Sequence, residues 1–98
     1  MENNIMRVCK DKDNPYILLN KEFLMNNKLS LKAKGLLTYL LSLPDNWKIY
    51  VNELTNNHKD GRDSITSAIN ELIENNYIVR KKIIEKGKYN YILEVTND

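Results

Sequence analysis

Two stretches of this chain share one apolar spacing, and that spacing constrains the fold more than any other feature. Ala33, Leu36, Leu37, Leu40 and Leu41 fall at i, i+3, i+4, i+7 and i+8, and Ile65, Ala68, Ile69, Leu72 and Ile73 repeat the pattern without a miss. This is the period of an α-helix that buries one stripe in a core. Ser30 caps the first helix, and Pro44 stops it after Leu43. Gly35 inside it costs about 1 kcal/mol relative to alanine; a closely crossing neighbour would account for it, and so would simple tolerance. The second helix runs from about Arg62 to Asn75, with Asp60 or Gly61 as its cap. Asn75-Asn76 closes it, because asparagine tolerates the left-handed conformation wanted after a helix.

The remaining segments are shorter. Asn20 caps a helix of about two turns over KEFLMNN, which Asn26, Asn27 and Lys28 end. VNELTNN (51–57) reads as a short helix with Val51 and Leu54 inward, starting at Tyr50-Val51 without a Ser or Thr cap. IMRVC (5–9) and YILL (16–19) flank the polar KDKDNP turn (10–15) and read as short strands, with a hairpin between them left open. DNWKIY places a turn at Asp45-Asn46 and an extended piece over 47–50. YIVRKKII (77–84) and YNYILEV (89–95) are rich in β-branched and aromatic residues, with EKGK (85–88) as a loop between them. In the last strand Tyr89, Tyr91, Leu93 and Val95 share one face. The expected fold is therefore α+β: a winged helix-turn-helix of four helices, short N-terminal strands and a C-terminal β-hairpin wing. One domain is expected over 1–98, with its core in 16–95 and residues 1–15 as an extension, strand or hairpin arm.

Composition narrows the chemistry. A chain of 98 residues is long enough for one modest core. No apolar run reaches the roughly 20 residues of a membrane span. The N-terminus shows no secretory pattern, so a cytoplasmic location is expected. Cys9 is alone, His58 reads as a turn residue, and no Cys/His cluster has metal-ligand spacing. No phosphate-binding glycine loop or nucleophile elbow is present, so neither enzyme activity nor a metal or cofactor is expected. Trp47 and the tyrosines read as core and rim residues. Asparagine, lysine and isoleucine have AT-rich codons and fill more than a third of the chain, which fits a bacterial, phage or plasmid genome of that bias. The net charge is only +2 and the pI about 8.6, below the value above 9 of an obvious nucleic-acid binder.

Distribution alters that average. Residues 80–88 hold Arg80, Lys81, Lys82, Lys86 and Lys88 against Glu85 alone. Strand alternation sets Lys81 on the face opposite Arg80 and Lys82. A short helix, a turn containing HKDG and an amphipathic helix read as a helix-turn-helix, whose second helix enters the DNA major groove. With the apolar stripe committed to the core, Arg62, Asp63, Ser64, Thr66, Ser67 and Asn70 lie on or near its open side. Lys59 precedes it in the turn. Arg80, Lys82, Lys86 and Lys88 supply a backbone grip, whereas Glu71 and Glu74 would repel phosphate. The plainer alternatives are solubilising lysines on the wing, an Arg62 paired with Asp60 or Asp63, and solvated Thr66, Ser67 and Asn70.

LSLKAKGLLTYLLSLPDNW, with KDGRDSITSAINELIENNYIVRKK after it, resembles the winged-helix domain of phage replisome organisers. DnaD-type primosomal proteins and some plasmid replication initiators have related domains. The resemblance covers about residues 16–95. It implies binding of double-stranded DNA by Arg62, its exposed neighbours and the wing. It also implies a homodimer through N-terminal elements, and contact with a helicase or loader through a further segment that this chain lacks. A small transcriptional regulator and a winged helix used for protein–protein interaction are the alternatives.

Overall fold

The computed structural model describes residues 7–8, 15–44 and 47–96, the first pair as backbone only. Strand β1 (Arg7–Val8) pairs antiparallel with β2 (Ile17–Leu18), so the two expected strands do form a hairpin. The rest of the 5–9 strand, Cys9 and most of the KDKDNP turn lie outside the described residues.

Helix α1 (Lys21–Leu24) starts at the expected cap, where Asn20 Oδ1 accepts the Glu22 N–H at 2.7 Å. It makes one turn rather than two. The reason is Asn26, whose side chain accepts the Lys28 N–H at 2.9 Å and donates to the Tyr77 hydroxyl at 3.1 Å. An asparagine bonded in this way offers the backbone an alternative to the helix ladder. Helix α2 (Leu31–Leu41) begins at Ser30, whose hydroxyl accepts the Ala33 N–H. It ends two residues before the expected stop. Leu43 N–H donates to Leu40 O in a tightened last turn, because Pro44 disfavours helical backbone at Leu43. The expected Asp45-Asn46 turn is outside the described residues, although Trp47 N–H donates to Pro44 O across it.

Strand β3 (Ile49–Tyr50) leads directly into α3 (Val51–Asn56), then α4 (Arg62–Glu74), β4 (Ile78–Glu85) and β5 (Lys88–Val95). The three strands form an antiparallel sheet in the order β3-β5-β4, with Ile49 opposite Leu93 and Tyr50 opposite Ile92. Tyr50 is the cap residue of α3 and makes no side-chain capping bond. Pairing with β5 fixes the start of that helix instead. The Tyr50 hydroxyl also reaches the Glu85 carboxylate, which receives the Lys48 ammonium at 2.9 Å. These two partners, Lys48 first, hold Glu85 below the usual carboxylate range.

Gly61, not Asp60, caps α4. At the other end Asn76 adopts φ 67°, Asn76 N–H donates to Ile73 O, and Tyr77 N–H donates to Leu72 O. This pair of bonds is the Schellman closure expected of Asn75-Asn76. The wing is tighter than EKGK implied. Only Lys86 and Gly87 form the turn, at φ 52° and 79°, and Glu85 pairs with Lys88. Positive φ at both central residues is the signature of a type I′ hairpin turn.

Four helices and an antiparallel sheet ending in a long hairpin make a winged helix. Its largest fully buried side chains are Leu37, Ile69, Leu72 and Ile78, contributed by α2, α4 and the base of the wing. Leu36, Leu41 and Ile73 from the two stripes pack at the margin of this core. No close neighbour explains Gly35: an added Cβ would meet nothing within 4 Å. Gly35→Ala is therefore expected to stabilise the fold by up to about 1 kcal/mol, read as a higher urea midpoint. At Asn76, alanine is expected to lose about 1 kcal/mol to the left-handed backbone while glycine loses none, measured in the same way.

Candidate nucleic-acid interface

The buried stripe of α4 fixes which side of it faces outward. Ile65, Ala68, Ile69 and Leu72 are in the core. Asp63, Thr66, Ser67 and Asn70 are exposed and line one shallow groove together with Glu71 and Glu74. Four of the expected groove-reading residues are thus brought together. Ser64 is not with them. It is half-buried and lines a separate apolar cleft of about 220 Å³ beside Gly35, Tyr39 and His58. Arg62 is exposed in the first turn, and among the described residues no ion pair joins it to Asp60 or Asp63. Lys59 is exposed in the turn between α3 and α4, which spans 57–61. His58 in that turn stands edge-on to Tyr39 with centroids 4.6 Å apart.

Glu71 does not have the role its sequence position implied. It was expected beside Glu74 as a charge repelling phosphate, but it is half-buried against the start of α2. Its Oε1 accepts the Ser30 N–H at 2.8 Å, and its Oε2 accepts the Ser30 hydroxyl at 2.7 Å. These bonds, the backbone one first, hold the carboxyl below its usual range. A carboxylate bonded this way serves an otherwise unpaired helix N-terminal N–H and complements the positive end of the α2 dipole.

On the wing, register decides which cations act together. Ile78, Arg80, Lys82 and Ile84 share a face with Val95, Leu93, Tyr91 and Tyr89. At the base this face packs into the core through Ile78 and Leu93; farther out it is exposed. Arg80 lies over the Tyr91 ring at 5.3 Å, and Lys82 over the Tyr89 ring at 4.4 Å. Both are diagonal cross-strand contacts within reach of long side chains. Lys88 falls on the opposite face with Lys81, which pairs with Glu94 at 3.0 Å. Lys86 occupies the turn. Of the four cations expected to form a grip, Arg80 and Lys82 are the two that share a strand face. The wing carboxylates Glu85 and Glu94 both lie on the other face.

Tyr89 and Tyr91 were missed as site residues. Alternation grouped them with Leu93 and Val95 and so with the core and rim. The hairpin outruns the helices, however, and leaves Tyr89 65% and Tyr91 47% exposed. The available signal was the two-residue turn: reading Lys86-Gly87 as the apex sets both tyrosines diagonally from the two cations.

Among the described residues no group of His, Cys, Asp and Glu side chains could hold a metal ion, and no helix is long and apolar enough to cross a membrane. A family model for a helix-turn-helix domain matches residues 26–78, from just after α1 to the first residue of β4. No curated protein and no solved structure matches the chain significantly.

A carboxyl whose folded-state pKa is depressed stabilises the fold fully above its unfolded pKa and loses that contribution as pH falls through the folded value. Glu71→Gln is therefore expected to lower the melting temperature at neutral pH, with the gap to wild type closing as pH drops through and below the ordinary carboxylate range. Thermal melts of both proteins across that range provide the measurement.

Proposed function

This chain belongs to the helix-turn-helix domain family and is a DNA-binding domain; we propose that it serves a phage or plasmid replication protein, with α4 in the major groove of double-stranded DNA and the wing on the phosphate backbone. The observation that carries the groove assignment is the outward strip of α4. Its hydroxyls and amide project from a helix whose other side is anchored in the core. Thr66, Ser67 and Asn70 suit hydrogen bonds to base edges, Asn70 with the bidentate geometry that adenine accepts. Asp63 suits a cytosine amino group. Arg62, unpaired by any acid among the described residues, suits guanine or a phosphate near the helix start. Lys59, Arg80, Lys82, Lys86 and Lys88 suit phosphates. Ser64, facing the α2–α3 side, takes no part.

The replication role rests on the similarity of residues 29–47 and 59–82 to replisome organisers, and it implies a cytoplasmic protein that works beside a helicase or loader. The reading is of a binding module rather than an enzyme. One observation favours a different use: the carboxylates of Asp63 and Glu74, beside a Glu71 engaged at Ser30, border the α4 groove and no cation lines it. That composition suits a cationic protein segment, and such a partner would stay bound after the wing cations are neutralised.

With three to five phosphate contacts, log affinity for a labelled duplex is expected to fall against log salt with a slope of roughly −3 to −4.5. Arg62→Ala should weaken duplex binding about ten-fold and relax the preferred sequence, corresponding to the loss of one good base or phosphate contact. No salt-sensitive binding at low ionic strength would count against the DNA reading. Selected genomic fragments that cluster at promoters rather than at a replication origin would move the role to transcription.

A further inference from the structure

The outer part of the wing combines features that a phosphate grip does not need. Two tyrosines, Tyr89 and Tyr91, stand on one face of β5 and remain largely exposed. Ile84, opposite Tyr89, is 65% exposed on the same face. Phosphate contacts draw on cations and hydrogen-bond donors, a tyrosine hydroxyl included; ring faces and an isoleucine add nothing to them. Each ring is packed against a cation, Tyr91 under Arg80 and Tyr89 under Lys82. The face holds no carboxylate, since Glu85 and Glu94 lie on the other side, engaged with Lys48 and Lys81. A ligand suited to this face carries negative charge and flat apolar surfaces together.

Spacing narrows the choice. Residues i and i+2 of an antiparallel strand are about 6.8 Å apart. That is twice the ~3.4 Å step between stacked bases of one duplex strand. Bases inside a duplex also bury both faces against their neighbours. Bases of an extended single strand are free to separate and to stack on aromatic side chains, with cations following the backbone.

We propose that this face of the wing binds single-stranded DNA, with Tyr89 and Tyr91 stacking on successive bases and Arg80 and Lys82 meeting the adjoining phosphates. The proposal rests on the DNA-binding reading for the class of ligand alone; its surface is separate from the α4 strip. A chain that holds a duplex by α4, Lys59, Lys86 and Lys88 can turn Arg80 and Lys82 from the duplex phosphates to an unpaired strand.

The test uses fluorescence anisotropy with a labelled oligo-dT of about 12 nucleotides, and with a labelled duplex in parallel. The main variant is Tyr89→Ile with Tyr91→Ile, which removes both rings while keeping strand propensity; melting temperature checks its fold. The double variant is expected to bind oligo-dT at least ten-fold more weakly, the scale of losing stacking at one or more bases, with duplex affinity within two-fold of wild type. Tyr89→Phe with Tyr91→Phe should bind both as wild type does. Arg62→Ala should lose duplex affinity and keep oligo-dT. The proposal is overturned if the isoleucine pair binds oligo-dT as wild type does, or if it loses both ligands equally, which would make the rings mere supports of the hairpin. It is also overturned if wild type binds duplex and not oligo-dT, a result that leaves the α4 reading standing. Binding to neither ligand would remove both.

Discussion

The domain depends on a carboxylate that reaches from one helix to the first residues of another. Glu71 sits on α4, and its two oxygens take the backbone N–H and the hydroxyl of Ser30. Ser30 in turn accepts the Ala33 N–H and starts α2. One side chain thereby joins the cap of one amphipathic helix to the body of the other, two helices that also share the apolar cluster of Leu37, Ile69 and Leu72. Apolar packing favours burial without fixing rotation closely. A two-point hydrogen-bonded clamp does fix rotation, and the rotation of α4 about its axis decides whether Thr66, Ser67 and Asn70 or their neighbours face a ligand.

Much of the architecture was legible because local rules and global fold agree. The two apolar stripes located α2 and α4, Ser30 and Asn20 marked helix starts, and Asn75-Asn76 marked a left-handed stop. Where the reading failed, a distant partner had intervened. α1 stops after one turn where Asn26 bonds the Lys28 N–H and is held by Tyr77, 51 residues away. Glu71 was read by its charge and not by its bond to Ser30, 41 residues away. The uncapped start read for α3 at Tyr50-Val51 is correct, and what the sequence left out is its cause, the strand pairing at Tyr50. No window of neighbouring residues contains such information.

The candidate site was legible to the extent that burial is periodic. Once Ile65, Ala68, Ile69 and Leu72 were assigned to the core, Thr66, Ser67 and Asn70 had to lie opposite. Ser64 lies at the edge of the stripe, where a small rotation determines the outcome, and it fell on the α2–α3 side. On the wing, alternation separated Lys81 from Arg80 and Lys82 correctly, yet it treated Tyr89 and Tyr91 as continuing the core. Period two tells which face a residue occupies. It does not tell how far along the strand that face stays covered.

The Lys86-Gly87 turn has a consequence beyond its own two residues. A hairpin closed by the shortest common connection has no slack, so the apex sets the phase for both eight-residue strands. Slipping one strand by a single position would carry Tyr89 and Tyr91 to the side of Lys81, and would present Asn90 and the acidic Glu94 beside Arg80 and Lys82. The sign of the charge that the wing shows to each side is therefore stored at its tip, as a parity. Gly87 contributes no side chain to any surface, yet that parity is kept by a backbone conformation that glycine adopts without strain.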